Sequence, residues 1–181
     1  MKHNIIITAI GKDQPGIVAA VTKVLFEKGC NLEDSSMTIL EGEFAMILIV
    51  SMPETLSFAV LDKHFDEVRH NLGLSVLLKS MNEEEMRRTP ETQITYMISV
   101  YGADQPGIVY HVTKTLADLG INISDVNTQI NNDVTPSVYM MMLEVNISEK
   151  EKVDRLQSAL EALSKKMSIH VTIHDIDTLV L

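Results

Sequence analysis

The stretch Asp13-Gln14-Pro15-Gly16-Ile17-Val18 decides the fold, because the same six residues return unchanged from Asp104 to Val109. Each copy follows an apolar, β-branched run and opens a segment whose apolar side chains recur at helical spacing. A Pro-Gly turn thus joins a strand to a helix at two places in the chain. Proline suits the first helical position, since its missing N–H would have no partner there. The repeat therefore indicates a duplicated unit.

Outward from the first copy, the pattern predicts the order strand, helix, strand, strand, helix, strand. Gly29 is a good stop for the first helix, and residues 41–43 are typical of a hairpin turn. The first strand is mostly apolar, so we expect it to be buried on both faces. The predicted strands cover residues 5–10, 31–40, 44–52 and 74–78, and the predicted helices cover residues 15–28 and a segment from 52–54 to 72.

The second copy heads a similar series of elements. Asn122 matches Asn31 at the start of the second strand, and Tyr139 aligns with Phe44 only if the second hairpin carries four extra residues. Ser148 is the expected N-cap of the last helix. The remaining elements are predicted as strands over residues 94–100 and 169–179 and helices over residues 106–119 and 148–166.

Between the two units lies a polar, charged segment closed by Pro90, which is typical of a linker that few contacts cross. We therefore predict two domains, residues 1–81 and 93–181, joined by a linker over residues 82–92. The fold class is α+β, with two ferredoxin-like βαββαβ domains, each a four-stranded antiparallel sheet with two helices on one face. A unit of about 80 residues buries little more than ~60% of its unfolded surface. We therefore expect units to pair, within a chain or as a homodimer.

Charge and composition argue against several classes of protein. The chain has 15 basic and 25 acidic residues and a net charge of −10, so direct binding of nucleic acid is not expected, and a role in transcription would require a protein partner. Cys30 is the only cysteine, which fits a reducing compartment and predicts a cytoplasmic protein. We find neither a signal peptide nor a run of the ~20 apolar residues that a membrane helix needs.

The start of each predicted helix has the chemistry of an anion site. The amides of Gly16, Ile17 and Val18 lack intrahelical acceptors, and a helix N-terminus carries about half a positive charge. A carboxylate fits there, while Asp13 can accept a hydrogen bond from an ammonium group. Asn31, at the start of the next strand, offers both a donor and an acceptor. Together these groups predict a site for a small α-amino acid.

The same argument applies to both copies of the motif. A purely structural role for the motif stays open as an alternative, because Asp-X-Pro-Gly is also a good turn and helix-start sequence. The chain would then be an interaction or dimerisation module that binds no ligand. Even if the duplicated unit did bind a ligand, one of the two copies could have lost the ability to bind. The candidate ligand-binding residues are Asp13, Gln14, Gly16, Ile17, Val18 and Asn31 in the first unit and Asp104, Gln105, Gly107, Ile108, Val109 and Asn122 in the second.

Other chemistry has weaker support. No nucleophile with a base, and no pair of acids in a cleft, stands out, so we expect neither an enzyme nor a cofactor. Cys30 follows a helix-ending glycine and is expected to be buried and inert. His170 and His174 lie on one face of a strand about 13 Å apart, too far to share one metal without a bend, so no metal site is expected. Residues 140–142, all methionine, are expected to fill gaps in the core and at interfaces.

Two motifs together resemble a known family. The segment Gly11–Val18, followed by Gly29–Ser35, resembles the ACT domain, and so does Gly102–Val109, followed by Gly120–Asp125. Two such units cover nearly all of these 181 residues, and we recognise no catalytic domain among them. That arrangement is similar to the glycine cleavage system transcriptional repressor family.

The resemblance implies an amino-acid-sensing regulator. ACT domains bind amino acids at interfaces between two units, with the strand-to-helix loop of one unit facing the second strand of another. The resemblance also implies glycine or another small amino acid as ligand, and regulation of glycine cleavage or amino-acid metabolism through a transcriptional activator as partner. The second unit departs from the first at its longer hairpin and at Ile121–Ser124, where Cys30 and Glu33 are replaced. The two sites therefore need not be equivalent.

Overall fold

The computed structural model describes residues 3–81, 94–133 and 135–176. The chain divides into two compact units, Met1–Arg88 and Thr89–Leu181. The linker predicted over residues 82–92 lies outside the described residues. So does the end of the last predicted strand, from residue 177 onward.

Both units have the predicted order of elements. The first contains β1 (His3–Lys12), α1 (Ile17–Glu27), β2 (Asn31–Leu40), β3 (Glu43–Met52), α2 (Phe58–His64), α3 (Asp66–Leu72) and β4 (Ser75–Ser80). The second contains β5 (Ile94–Ala103), α4 (Ile108–Asp118), β6 (Asn122–Asn131), β7 (Val138–Ile147), α5 (Lys150–Met167) and β8 (His170–Asp175). The sheets are antiparallel, with strand orders β2-β3-β1-β4 and β6-β7-β5-β8. The α+β, ferredoxin-like fold is therefore confirmed.

One face of each sheet is covered, and the other is open within the unit. In β1, the side chains of Ile5, Ile7 and Ala9 are buried, whereas Ile6 is half-buried and Ile10 is 51% exposed. The prediction that this strand is buried on both faces is wrong, because the helices of the unit pack against alternate residues only. The core of the first unit consists of those three residues with Ile17, Val21, Leu25, Phe44, Met46, Leu48, Val50, Met52, Leu61, Phe65, Val68, Leu74 and Val76.

The second helix of the first unit is shorter than predicted and is divided in two. It begins only at Phe58, after Ser57, whose hydroxyl accepts a hydrogen bond from the N–H of Val60 at 3.4 Å. The division falls at Phe65, whose N–H bonds to the carbonyl of Asp62 at 3.1 Å. That carbonyl also accepts a hydrogen bond from Arg69 at 2.9 Å. Because the carbonyl is occupied in this way, it does not continue the regular α-helical ladder.

Two features of the second unit test the repeat directly. Tyr139 pairs with Gly102 as Phe44 pairs with Gly11, and the connection between the paired strands spans residues 132–137 instead of 41–42. The predicted alignment and its four extra residues are confirmed. The predicted cap is wrong, since the last helix begins at Lys150 with Glu149 at the N-cap position and no side-chain bond there. In the part of the chain that is described, no helix is long and apolar enough to cross a membrane.

Candidate functional site

The loops at the two motifs have nearly identical backbones. Gly16 and Gly107 are the N-cap residues and adopt the left-handed conformation, with φ of 97° and 96°. L-residues with a side chain rarely adopt this conformation, so glycine is required at both positions. The helices therefore begin two residues later than predicted, at Ile17 and Ile108, and the prolines lie in the preceding turns.

The shifted helix start changes which amides are available. The first intrahelical bond joins the N–H of Ala20 to the carbonyl of Gly16 at 2.9 Å. The amides of Ile17, Val18 and Ala19 precede it, and no side chain caps them. In the second unit the equivalent amides belong to Ile108, Val109 and Tyr110. Sequence reasoning missed Ala19 and Tyr110, although a glycine directly after the proline was the signal that the helix starts later.

Ile17 and Val18 present backbone and not side chain to any ligand. The side chain of Ile17 is 2% exposed and that of Ile108 is equally buried, so both anchor the helix start in the core. Val18 and Val109 face outward. The apolar residues of the motif thus fix the position of the polar N–H groups between them.

Each loop is fastened to two neighbouring segments. The N–H of Asp13 donates to the carbonyl of Gly42 at 2.8 Å, and that of Asp104 donates to Ser137 at 3.0 Å. The side-chain amide of Gln14 donates to the carbonyl of Leu72 at 2.9 Å. The side-chain amide of Gln105 makes the same kind of bond to Met167 at 2.7 Å. The loops are therefore ordered by contacts inside their own units.

Gly11 and Gly102 allow the strand before each loop to approach the next segment closely. A Cβ atom on Gly11 would lie 2.8 Å from the Leu74 side chain and 3.2 Å from the Gly73 carbonyl oxygen. A Cβ atom on Gly102 would lie 3.0 and 3.2 Å from two carbons of Ile169. The sequence predicted a strand that ends at residue 10, whereas the strand continues to Lys12 and Gly11 provides the space for the close approach.

The candidate asparagines lie at the other end of the sheet. Asn31 pairs with Ser51, which pairs with Asn4 of β1, whereas the loop follows Lys12 at the far end of the same strand. The eight steps along the strand from Asn4 to Lys12 span about 26 Å at strand rise. The structure therefore does not bring Asn31 and Asp13 together within one unit.

The second unit has the same separation. Asn122 pairs with Asn146, which pairs with Thr95, whereas the loop follows Ala103 at the other end of β5. The side chain of Asn31 is held within its own strand, where it donates to the side chain of Glu33 at 3.0 Å.

Both second strands also carry a bulge after their second residue. It lies between Leu32 and Asp34 in the first unit and between Ile123 and Asp125 in the second.

Cys30 and the histidines show no sign of a reactive or metal-binding site. Partial burial raises the pKa of the Cys30 thiol, so the less nucleophilic protonated form is favoured. The ring of His170 lies 4.7 Å from that of Tyr101, centroid to centroid. Among the described residues, no three His, Cys, Asp or Glu side chains are grouped closely enough to hold a metal ion.

Two cavities lie away from the loops. A groove of about 550 Å³ runs between α1 and the pair α2 and α3, and it is lined by residues that include Lys23, Lys63 and His64. A hollow of about 280 Å³ lies on the open face of the second sheet, beside Met140 and Met142. Those two methionines are exposed and Met141 is in the core. Neither cavity is lined by a residue of the repeated motif, so neither is a pocket for a ligand held by the loops.

Comparison with known proteins identifies both units. The sequence model of the ACT domain matches residues 3–79 and 95–174. A UPF0237 protein of Streptococcus mutans is 39% identical over 75 residues, which are 41% of this chain and 85% of that protein. The glycine cleavage system transcriptional repressor of Escherichia coli is 22% identical over 175 residues, which are 96% of this chain and 90% of that protein.

A solved structure shows the same fold over the whole chain. A protein from Galdieria sulphuraria superposes with a TM-score of 0.81 and 22% identity, over 98% of this chain and 100% of that one. The two ranges matched by the ACT model fall one in each compact unit and together make up most of the sequence. The resemblance drawn from the repeated motif is therefore confirmed, and the chain belongs to the ACT domain family as a tandem pair of ACT domains.

Proposed function

We propose that this chain is a regulatory protein that senses glycine or another small amino acid and acts through a protein partner. The observation that carries the proposal is the repeated loop. In each copy, a left-handed glycine at the N-cap is followed by three amides that no side chain caps. The full-length similarity to a transcriptional repressor of glycine cleavage supports the regulatory role. It also suggests glycine cleavage or amino-acid metabolism as the process that is regulated.

The loop matches the two charged ends of an amino acid. The amides of Ile17, Val18 and Ala19 can donate to a carboxylate, which is also favoured by the positive end of the helix dipole. The carboxylate of Asp13 is exposed in the same loop and can accept a hydrogen bond from the ammonium group. The second loop offers the equivalent amides together with Asp104.

A homodimer would complete such a site with Asn31. β2 is an edge strand of ten residues, all exposed, so its outer N–H and C=O groups are available to another strand. Antiparallel pairing of two β2 strands about a two-fold axis between Ser35 and Ser36 would place Asn31 of the partner subunit beside Leu40. Leu40 lies near the Gly42 carbonyl that holds Asp13. The separation of Asn31 from Asp13 within one unit is thus the arrangement that a shared site requires.

The expected affinity suits a metabolite sensor. Glycine has five non-hydrogen atoms, and at roughly −1.5 kcal/mol per atom for the best small ligands the limit is about −7.5 kcal/mol, or ~3 μM. A coupling of about 1–3 kcal/mol between ligand and partner would then be enough for regulation. A net charge of −10 disfavours direct contact with nucleic acid, so the regulatory signal is proposed to pass to a protein such as a transcriptional activator.

A second candidate function is an ACT interaction module that binds no ligand. It is favoured by the internal bonds of the motif, because the backbone of Asp13 and the side chain of Gln14 are both used to fasten the loop. A sequence can keep such residues for folding alone. This candidate predicts that no amino acid changes the stability of the protein.

A thermal-shift screen against the common amino acids separates the two candidates. A ligand at ~100 times its dissociation constant should stabilise the protein by about 2.7 kcal/mol. We expect glycine or another small amino acid to raise the melting temperature, and Asp13→Ala to weaken that shift more than the matched variant Asp104→Ala. If none of the amino acids shifts a well-folded protein, the interaction module is the better account.

A further inference from the structure

Gln14 and Gln105 make the same long-range bond in the two units. The side-chain N–H of Gln14 reaches Leu72, 58 residues away, at 2.9 Å. That of Gln105 reaches Met167, 62 residues away, at 2.7 Å. The helices that supply the acceptors differ greatly, since α3 has 7 residues and α5 has 18. The bond therefore does not depend on the helix as a whole.

The acceptors occupy one structural position. Leu72 and Met167 are the last residues of their helices, and each is followed by a residue in the left-handed conformation, Gly73 with φ of 64° and Ser168 with φ of 54°. The last carbonyls of a helix have no intrahelical donor. Each glutamine thus supplies a donor to a helix C-terminus from a loop that precedes the N-terminus of another helix.

The same junction contains the close approach of Gly11 and Gly102 described above. Leu74 and Ile169, which lie against those glycines, are buried and follow directly after the left-handed residues. In each unit, the end of the first strand, the loop and the end of the second helix therefore form one packed junction. The glutamine side chain is its polar part.

We propose that Gln14 and Gln105 are positioning residues that hold the loop amides in place for a ligand and make no ligand contact themselves. The inference rests on the proposed function, since it assigns a role within the same site. Its basis is that the amide group of each side chain donates to the carbonyl at a helix end in both units. The bond also links the loop to the end of the second helix, so a shift of the loop on ligand binding would be transmitted there.

The first part of the test uses the ligand-free protein and the variants Gln14→Met and Gln105→Met, which keep side-chain length and remove the donor. We expect Gln14→Met to speed amide hydrogen exchange at Asp13 and Ala20 by about fivefold, as for the loss of one ordinary hydrogen bond. Exchange at Asp104 and His111 should not change, and Gln105→Met should give the reverse pattern. Unchanged exchange at all four amides would overturn the proposal.

The second part measures the affinity for glycine by titration calorimetry. We expect Gln14→Met to weaken binding about fivefold. Weakened binding with unchanged exchange would make Gln14 a ligand contact and overturn the inference. If the wild-type protein binds no amino acid while the exchange effects are present, the proposed function fails and the role of the glutamines in ordering the loop stands.

Discussion

The two units have the same loop and fasten it with the same bonds, but they differ in the hairpin and in the second helix. In the first, the hairpin connection has two residues and the second helix is divided at Phe65, whereas in the second the connection spans residues 132–137 and α5 is continuous over 18 residues. The φ angles of the N-cap glycines nevertheless agree to within 1°. Loop geometry is thus set locally, by the glycine and by the bonds to hairpin and helix end.

Equal loops do not give equal surroundings for a ligand. At Gly16 no atom beyond its neighbours in the chain lies within 4 Å of the position that a Cβ would take, whereas at Gly107 the ring of His111 lies 3.4 Å from it. Tyr110 is 61% exposed, and its ring contacts that of His111 edge-on, with 5.1 Å between the ring centroids. Alanines occupy the equivalent positions 19 and 20 of the first unit. The first loop is therefore open at Gly16, and the second is partly covered at Gly107 by the ring of His111, which Tyr110 contacts.

The largest loss of stability on mutation is expected where the units differ most, at the divided second helix of the first unit. Phe65 is fully buried at the break between α2 and α3. We expect Phe65→Ala to lower the free energy of unfolding by about 3–5 kcal/mol, as for other large-to-small changes in a core. Chemical denaturation followed by circular dichroism measures the loss. The control is Val60→Ala on the same helix pair, where a 46% exposed side chain should cost no more than about 0.5 kcal/mol. Equal losses in the two variants would contradict this account of the break.

A smaller loss of stability, equal in the two units, is expected on mutation of Gly16 and Gly107. Gly16→Ala and Gly107→Ala each force an alanine into the left-handed region, at a cost of about 1–2 kcal/mol. Neither added methyl group meets backbone atoms, so strain should dominate and the two losses of stability should agree. Denaturation midpoints of both variants test this equality. A difference larger than about 1 kcal/mol would show that the loops are not set by the same local geometry.

Much of the fold was predictable because its signals are local. Alternating and helical periodicity predicted the order of elements in both units, and the matched Phe44 and Tyr139 predicted the longer second hairpin. The division of the second helix was not predictable, since it depends on Arg69 reaching the carbonyl of Asp62 across two turns. The helix start was misplaced because proline at the first position and glycine at the N-cap are both good helix-start signals, and the left-handed glycine prevailed.

The candidate site was predictable only in part. The loop amides follow from the motif, because an uncapped helix start is a local property. The bonds of Gln14 and Gln105 were not predictable, since their acceptors lie 58 and 62 residues away and carry no sequence signal. The placement of Asn31 at the opposite end of the sheet from Asp13 follows from the topology, because β1 and β2 both run antiparallel to β3 and therefore begin at the same end of the sheet.

The smallest and most selective effect is expected from uncovering the second loop. We expect the wild-type chain to bind glycine at one site and the double variant Tyr110→Ala/His111→Ala to gain a second, weaker site. The added affinity should be modest, because the amides are already present and only access changes. Stoichiometry from titration calorimetry measures this gain. A single site in both proteins would mean that the covering side chains do not decide which loop binds.

The central claim is that the amides at the start of α1 bind the carboxylate of a small amino acid. A titration with glycine followed by ¹⁵N amide chemical shifts tests it most directly. The account predicts saturable shifts at Ile17, Val18 and Ala19, with much smaller shifts at Ile108, Val109 and Tyr110. Absence of shifts at the first three amides with glycine and every other common amino acid, in a well-folded protein, would contradict it.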